Sequence, residues 1–165
     1  MVTSPLFEYP ACLMTRLGVH VQEQLTDLLA PLSLQPRHFG LLTLLKGQDG
    51  LSQHQLADPL AVHRNVMVGL VDELEARGLV ERRRHPTDRR AHAVHLLPPG
   101  RALHAEAEAL ITEFETKLLG CLSPQEAATF VALQRRVSEQ AGLHQEVHPG
   151  LRPSRPATQS AVSSV

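Results

Sequence analysis

LADPLAVHRNVMVGLVDELEARGLVERRRHPTDRRAHAVHLLPPG, residues 56–100, changes its hydrophobic period halfway through. In the first half Met67, Leu70, Val71 and Leu74 stand at i, i+3, i+4 and i+7, the buried stripe of a helix over about 63–77 that Gly78 ends. Just upstream, Ser52 and Gln55 form an S-x-x-Q capping box, so another helix should begin at Gln53. Pro59 has no backbone N–H to donate, and that helix is expected to stop before it. Two short helices joined by a tight turn outline a helix-turn-helix. In the second half two short segments flank Pro86, Thr87 and Asp88, a turn composition that predicts a β-hairpin with an exposed tip.

Outside this stretch the pattern is helical. Leu13, Leu17, Val21, Leu25, Leu28 and Leu32 mark a first helix over about 11–29, and the apolar segment 37–47 a second, central one. Leu103, Ala107, Leu110, Ile111, Phe114 and Leu118 mark a long helix over about 100–120. Ser123 and Glu126 cap a last helix with Pro124 at its first position; Ala127, Phe130, Val131 and Val137 are expected to be buried in it. The expected class is mainly α with a small β-hairpin wing. It divides into an N-terminal dimerisation helix (1–34), a winged helix-turn-helix lobe (35–98), C-terminal dimerisation helices (99–145) and a Pro- and Ser-rich disordered tail (146–165). Long apolar stripes at both ends exceed what the compact centre can cover, and a second copy is the simplest supply of a partner: a homodimer is expected.

Composition narrows the classes of function. The 165 residues carry 16 basic and 17 acidic side chains, a net charge of −1 with histidine neutral. Cys12 and Cys121 form no CxxC pair, as expected of a reducing cytosol. The opening residues lack the basic and apolar regions of a signal peptide, and no stretch is long enough for a membrane span, so a cytoplasmic location is expected. No nucleophile, base and orienting group are suggested by motif, and neither an enzyme nor a cofactor is expected. Ten histidines raise the alternative of a zinc sensor. However, His92 and His95 are three apart in a strand and face opposite sides, and no metal ligand set is assigned. His38 and His104 can approach one another or line a ligand cleft, and Cys12 near a helix start leaves oxidant sensing as a further alternative.

The charge is concentrated locally. Arg82, Arg83, Arg84, Arg89 and Arg90 fall within nine positions. A helix followed by an arginine-bearing ribbon suits double-stranded DNA, the helix in the major groove and the tip in the minor groove. Counterion release at the arginines requires no net basic charge.

Together, "LAVHRNVMVGLVDELEARGLVERRRHPTDRRAHAVHLLPPG" and the preceding "LAPLSLQPRHFGLLTLL" resemble the MarR family of winged helix-turn-helix regulators, with similarity over about 25–142. The resemblance implies a homodimer that binds a pseudo-palindromic operator, usually represses transcription, and is released by a small, frequently aromatic ligand or a redox event. It implies that Arg90 enters the minor groove and that Asp88 organises the wing. DNA contacts are expected from Arg64, Asn65, Val68, Gly69, Arg82, Arg84, Arg89 and Arg90, and a ligand pocket near His38 and Phe39. The family's polar recognition helix is altered here: Asn65 can pair with adenine and Val68 can touch a thymine methyl, while Gly69 offers no hydrogen bond. Either the operator is unusual, or direct readout is weak and the wings supply most of the affinity, or DNA binding has been lost in favour of a protein partner, the alternative function.

Overall fold

The computed structural model describes residues 8–60, 62–84 and 92–143. In chain order these form α1 (Pro10–Leu29), a 3-10 turn (Ala30–Leu32), α2 (Pro36–Gly47), β1 (Leu51–Ser52), α3 (Gln53–Leu60), α4 (Arg64–Ala76), β2 (Val80–Arg84), β3 (His92–Leu96), α5 (Pro98–Leu118) and α6 (Pro124–Gln140). The fold is mainly helical with a small antiparallel sheet, as expected. Four helices, α1, α2, α5 and α6, open with proline in the first turn. There the missing N–H is one that no carbonyl within the helix would accept, and the fixed φ suits the helix.

The predicted stripe of α4 is fully buried: Met67, Leu70, Val71 and Leu74 pack with Leu41, Leu42, Leu45 and Leu56. Both capping boxes form. Ser52 and Gln55 exchange bonds of 2.9 and 3.3 Å, and the Ser123 N–H donates to Glu126 Oε2 at 2.8 Å. Arg77 fastens the far end of α4 by donating to the carbonyls of Ser33 (2.7 Å) and Leu32 (3.0 Å).

The structure departs from the sequence-based expectation in four places. Helix α3 runs through Pro59 to Leu60, because a proline in the last turn of an eight-residue helix forfeits a single bond. The sheet has three strands in the order β1-β3-β2, the two-residue β1 pairing Leu51 with Val94 and Ser52 with Ala93. Two residues are too few to show an alternating pattern. Helix α5 begins at Pro98, placing Gly100 inside its first turn. Helix α6 buries no residue within the chain: Val131 and Val137 are exposed, and Ala127 and Phe130 are half-buried. On α1, Leu13, Met14, Leu17 and Val19 are exposed as well.

Candidate nucleic-acid interface

Burying the 67–70–71–74 stripe turns the opposite face of α4 outward. His63 caps the helix, its Nδ1 accepting the Asn65 N–H at 3.3 Å. Arg64, Asn65, Val66 and Val68 are exposed, and Gly69 is half-buried between them and the next turn. An open cleft of about 980 Å³ lies beside this end of α4, lined by Gln53, His54, Asp58, His63, Arg64 and His92.

Strand β2 supplies the adjacent charges. Arg82 sits opposite Val94 in the register, on the sheet face that meets α4. Its side chain is 19% exposed and closes on two carboxylates of α4. Nη2 lies 2.6 Å from Asp72 Oδ1, Nη1 bonds Glu75 Oε2, and the Arg82 N–H donates to Glu75 Oε1 at 2.7 Å. Arg82, expected at phosphate, is thus paired within the chain, and its guanidinium ties β2 to α4 through Asp72 and Glu75. Arg83 pairs with Glu81, and Arg84 is exposed at the strand end. Asp88, Arg89 and Arg90 lie outside the described residues. Asp49 holds the other edge of the sheet, accepting from the Leu96 N–H (2.7 Å) and meeting His95 Nδ1 (3.0 Å).

The expected ligand residues lie behind this surface, between helices. His38 is buried; its Nδ1 accepts the Gln35 N–H at 3.1 Å, so Nε2 carries the proton and donates to Glu73 of α4 at 2.9 Å. Phe39 stacks on His104 of α5, ring centroids 4.9 Å apart. The two histidines thus belong to separate networks. The Thr43 hydroxyl donates to the Phe39 carbonyl, so its oxygen accepts from His104 Nε2–H at 2.9 Å. Among the described residues His104 Nδ1 is left a buried acceptor without a hydrogen bond, Glu108 Oε2 lying 3.9 Å away, and the ring is 1% exposed. Among the described residues no three His, Cys, Asp or Glu side chains converge as a metal site would need.

Burial holds His38 below the usual histidine value of 6.5, partly opposed by Glu73. Burial and then Lys46 lower His104, partly opposed by Glu108. Both rings are thus neutral in the fold, and the unfolded chain takes up their protons first. Their contribution to stability is complete above about pH 6.5 and is lost as pH falls from there toward the depressed folded values. The thermal midpoint is expected to drop between pH 7.5 and 5.5, and less so in His104→Gln. An unchanged pH slope in that variant would exclude His104 as a source.

A model of the MarR family matches residues 32–91. A Thauera aromatica protein assigned to transcriptional regulation of the hcr operon is 34% identical over 105 residues, which cover 64% of this chain and 63% of that relative. The structure of the transcriptional repressor CouR bound to a 23-mer DNA duplex is 31% identical, with a TM-score of 0.76 over 84% of this chain and 98% of CouR. The chain belongs to the MarR family. CouR of Rhodococcus jostii RHA1 bound to p-coumaroyl-CoA matches this MarR-family chain with 28% identity and a TM-score of 0.71, covering 87% of this chain and 97% of that one. The family and fold are those of transcriptional regulators, and no described helix is long and apolar enough to cross a membrane.

Sequence reasoning missed the inward turn of Arg82, the His63 cap and the His104 network. Strand alternation carries a signal for the first: Val80 and Arg82 share a face, and Val80 is an evident core residue.

Proposed function

We propose that this MarR-family chain is a cytoplasmic, homodimeric, DNA-binding transcriptional regulator. It acts as a repressor that a small aromatic ligand releases from a pseudo-palindromic operator, and it catalyses no reaction. The observation that carries the proposal is the outward face of α4. Arg64 and Asn65 are exposed without side-chain partners among the described residues, while Arg82 neutralises Asp72 on the same helix. A surface edged by Arg64 and Arg84, on which Arg82 offsets part of the carboxylate charge of Asp72 and Glu75, suits phosphate. Helix α4 takes the major groove, with Asn65 bidentate on adenine, and Arg89 and Arg90 take the minor groove; these two and Asp88, expected to organise the wing, lie outside the described residues.

Dimerisation draws support from the exposed apolar residues of α1 and α6, such as Leu13, Met14, Val131 and Val137, which a symmetric second copy would cover. Residues 1–34 and 99–145 then form the dimer body and 35–98 the DNA-binding lobe; the expected tail, 146–165, lies outside the described residues. CouR in its DNA-bound and p-coumaroyl-CoA-bound forms supports an aromatic or aromatic-acyl effector. The ligand site is placed at His38 and Phe39, where His38 contacts Glu73 and so connects any occupant to α4.

Titration of a duplex from upstream of the gene, with and without p-coumaroyl-CoA, tests the proposal. Binding is expected without effector and release with it. Asn65→Ala should cost about 1–3 kcal/mol on the preferred site and relax one base position per half-site. Equal binding of wild type and Asn65→Ala at every base would remove Asn65 from the readout. A second reading, docking of a protein partner on this face, is favoured by the exposed Val66 and Val68 and is the one left if the folded chain binds no duplex at low salt.

A further inference from the structure

Gly69 stands in the middle of α4, where glycine weakens a helix relative to alanine. Among the described residues nothing calls for it. A Cβ built there meets no atom within 4 Å, so no neighbouring element packs against the bare backbone, and Gly69 has no left-handed φ. The open space lies on the outward side of the helix. Val66 (41% exposed) and Val68 (37% exposed) flank this position on opposite sides, each about a quarter-turn from the buried stripe. Asn65, a turn earlier, shares the outward face with Gly69.

We propose that Gly69 is the point where base edges approach the α4 backbone, and that Val66 and Val68 beside it read thymine methyl groups. With no side chain at the crest of the helix, α4 can sit about one methyl's depth further into the major groove. The branched valines then reach the groove walls, where thymine alone of the four bases offers a C5-methyl. Asn65 supplies the polar contact to adenine in the same half-site. Duplex DNA is favoured over an apolar protein surface because Arg64 and Asn65 border the valines and Asp72 is held by Arg82. Specificity thus rests on shape and methyl contact where a polar recognition helix would use hydrogen bonds. The proposal depends on DNA binding by the chain.

The test begins with selection of the preferred site from random duplexes by the full chain, which should return half-sites with thymine at two positions beside an adenine. Replacing those thymines by uracil removes only the methyls and should weaken binding about fourfold per methyl. In Val68→Ala, the response to uracil at one position per half-site should disappear. Gly69→Ala should raise the thermal midpoint by about 2–4 °C while lowering affinity for the selected site at least about tenfold, two effects of opposite sign. Equal affinity for thymine and uracil duplexes, measured on the wild-type chain, would overturn methyl reading. A Gly69→Ala variant with undiminished affinity, or with a lower midpoint, would overturn close approach. Binding to DNA without any of these responses leaves the regulator reading standing, whereas a folded chain that binds no duplex at low salt overturns both.

Discussion

Replacing Arg82 with alanine is expected to reduce affinity for operator DNA on the order of 100-fold at low salt, although Arg82 need touch no DNA. Its guanidinium covers Asp72 and Glu75 on α4 and also reaches the Val68 carbonyl at 3.4 Å. Removal exposes two carboxylates beside the phosphate path, where like charges brought together cost several kcal/mol. It also unfastens β2 from the recognition helix, so the wing no longer has a fixed aim. Fold stability should fall by about 2 kcal/mol, the middle of the range for hydrogen bonds to charged groups; Asp72, which is largely exposed, contributes the smaller part. Asp72→Asn in the Arg82→Ala background separates this role from a phosphate contact. Recovery of at least about tenfold in affinity is expected, whereas an arginine lost from phosphate would not be compensated by neutralising Asp72.

Gly100→Ala is expected to be among the most destabilising single-methyl additions in the chain. Gly100 lies in the first turn of α5, and a Cβ there would fall well inside van der Waals contact of the Leu79 carbonyl oxygen and 2.8 Å from Leu96 Cδ1. The Leu79 oxygen cannot retreat freely, because it also accepts the Leu97 N–H at 3.0 Å and so holds β2 against the start of α5. Overpacking against backbone costs about 1–3 kcal/mol, and the upper end applies where a hydrogen bond must break as well. Gly47→Ala, at a helical position with open space around it, provides the control and should be neutral or stabilising. Chemical denaturation of both variants checks the contrast. A Gly100→Ala midpoint equal to that of Gly47→Ala would show that the α5 start yields without cost.

Much of this architecture was legible because it is local. The α4 stripe, the two capping boxes and the two strands flanking the Pro-Thr-Asp segment follow from periods and spacings that lie within a few residues of each other. Strand β1 was not legible, since its two residues acquire strand geometry only from β3, some forty positions later. Pro59 misled for a related reason: its cost depends on where in the helix it falls, and that depends on the packing of Leu56 and Leu60.

The site divides in the same way. Asn65 and Gly69 could be placed on the outward face, and Val68 on its flank, from helical phase alone. The partner of Arg82 could not be chosen, because phosphate, Asp72 and Glu75 all suit a guanidinium and only the tertiary structure sets which is nearest. His38 and His104 could from sequence either approach one another or line a cleft; in the fold each is committed to its own partner through bonds that cross between helices.

The central claim, a dimeric regulator that grips duplex DNA through a local basic surface, is tested most directly by binding isotherms against upstream duplex over a range of KCl. Two chains should bind each duplex, and log K should fall linearly with log[KCl] with a slope of about −0.9 for each phosphate neutralised. Several contacts per dimer should give a slope of about −4 or steeper. A folded chain that binds no duplex at low salt, or binds with affinity indifferent to salt, would contradict the claim.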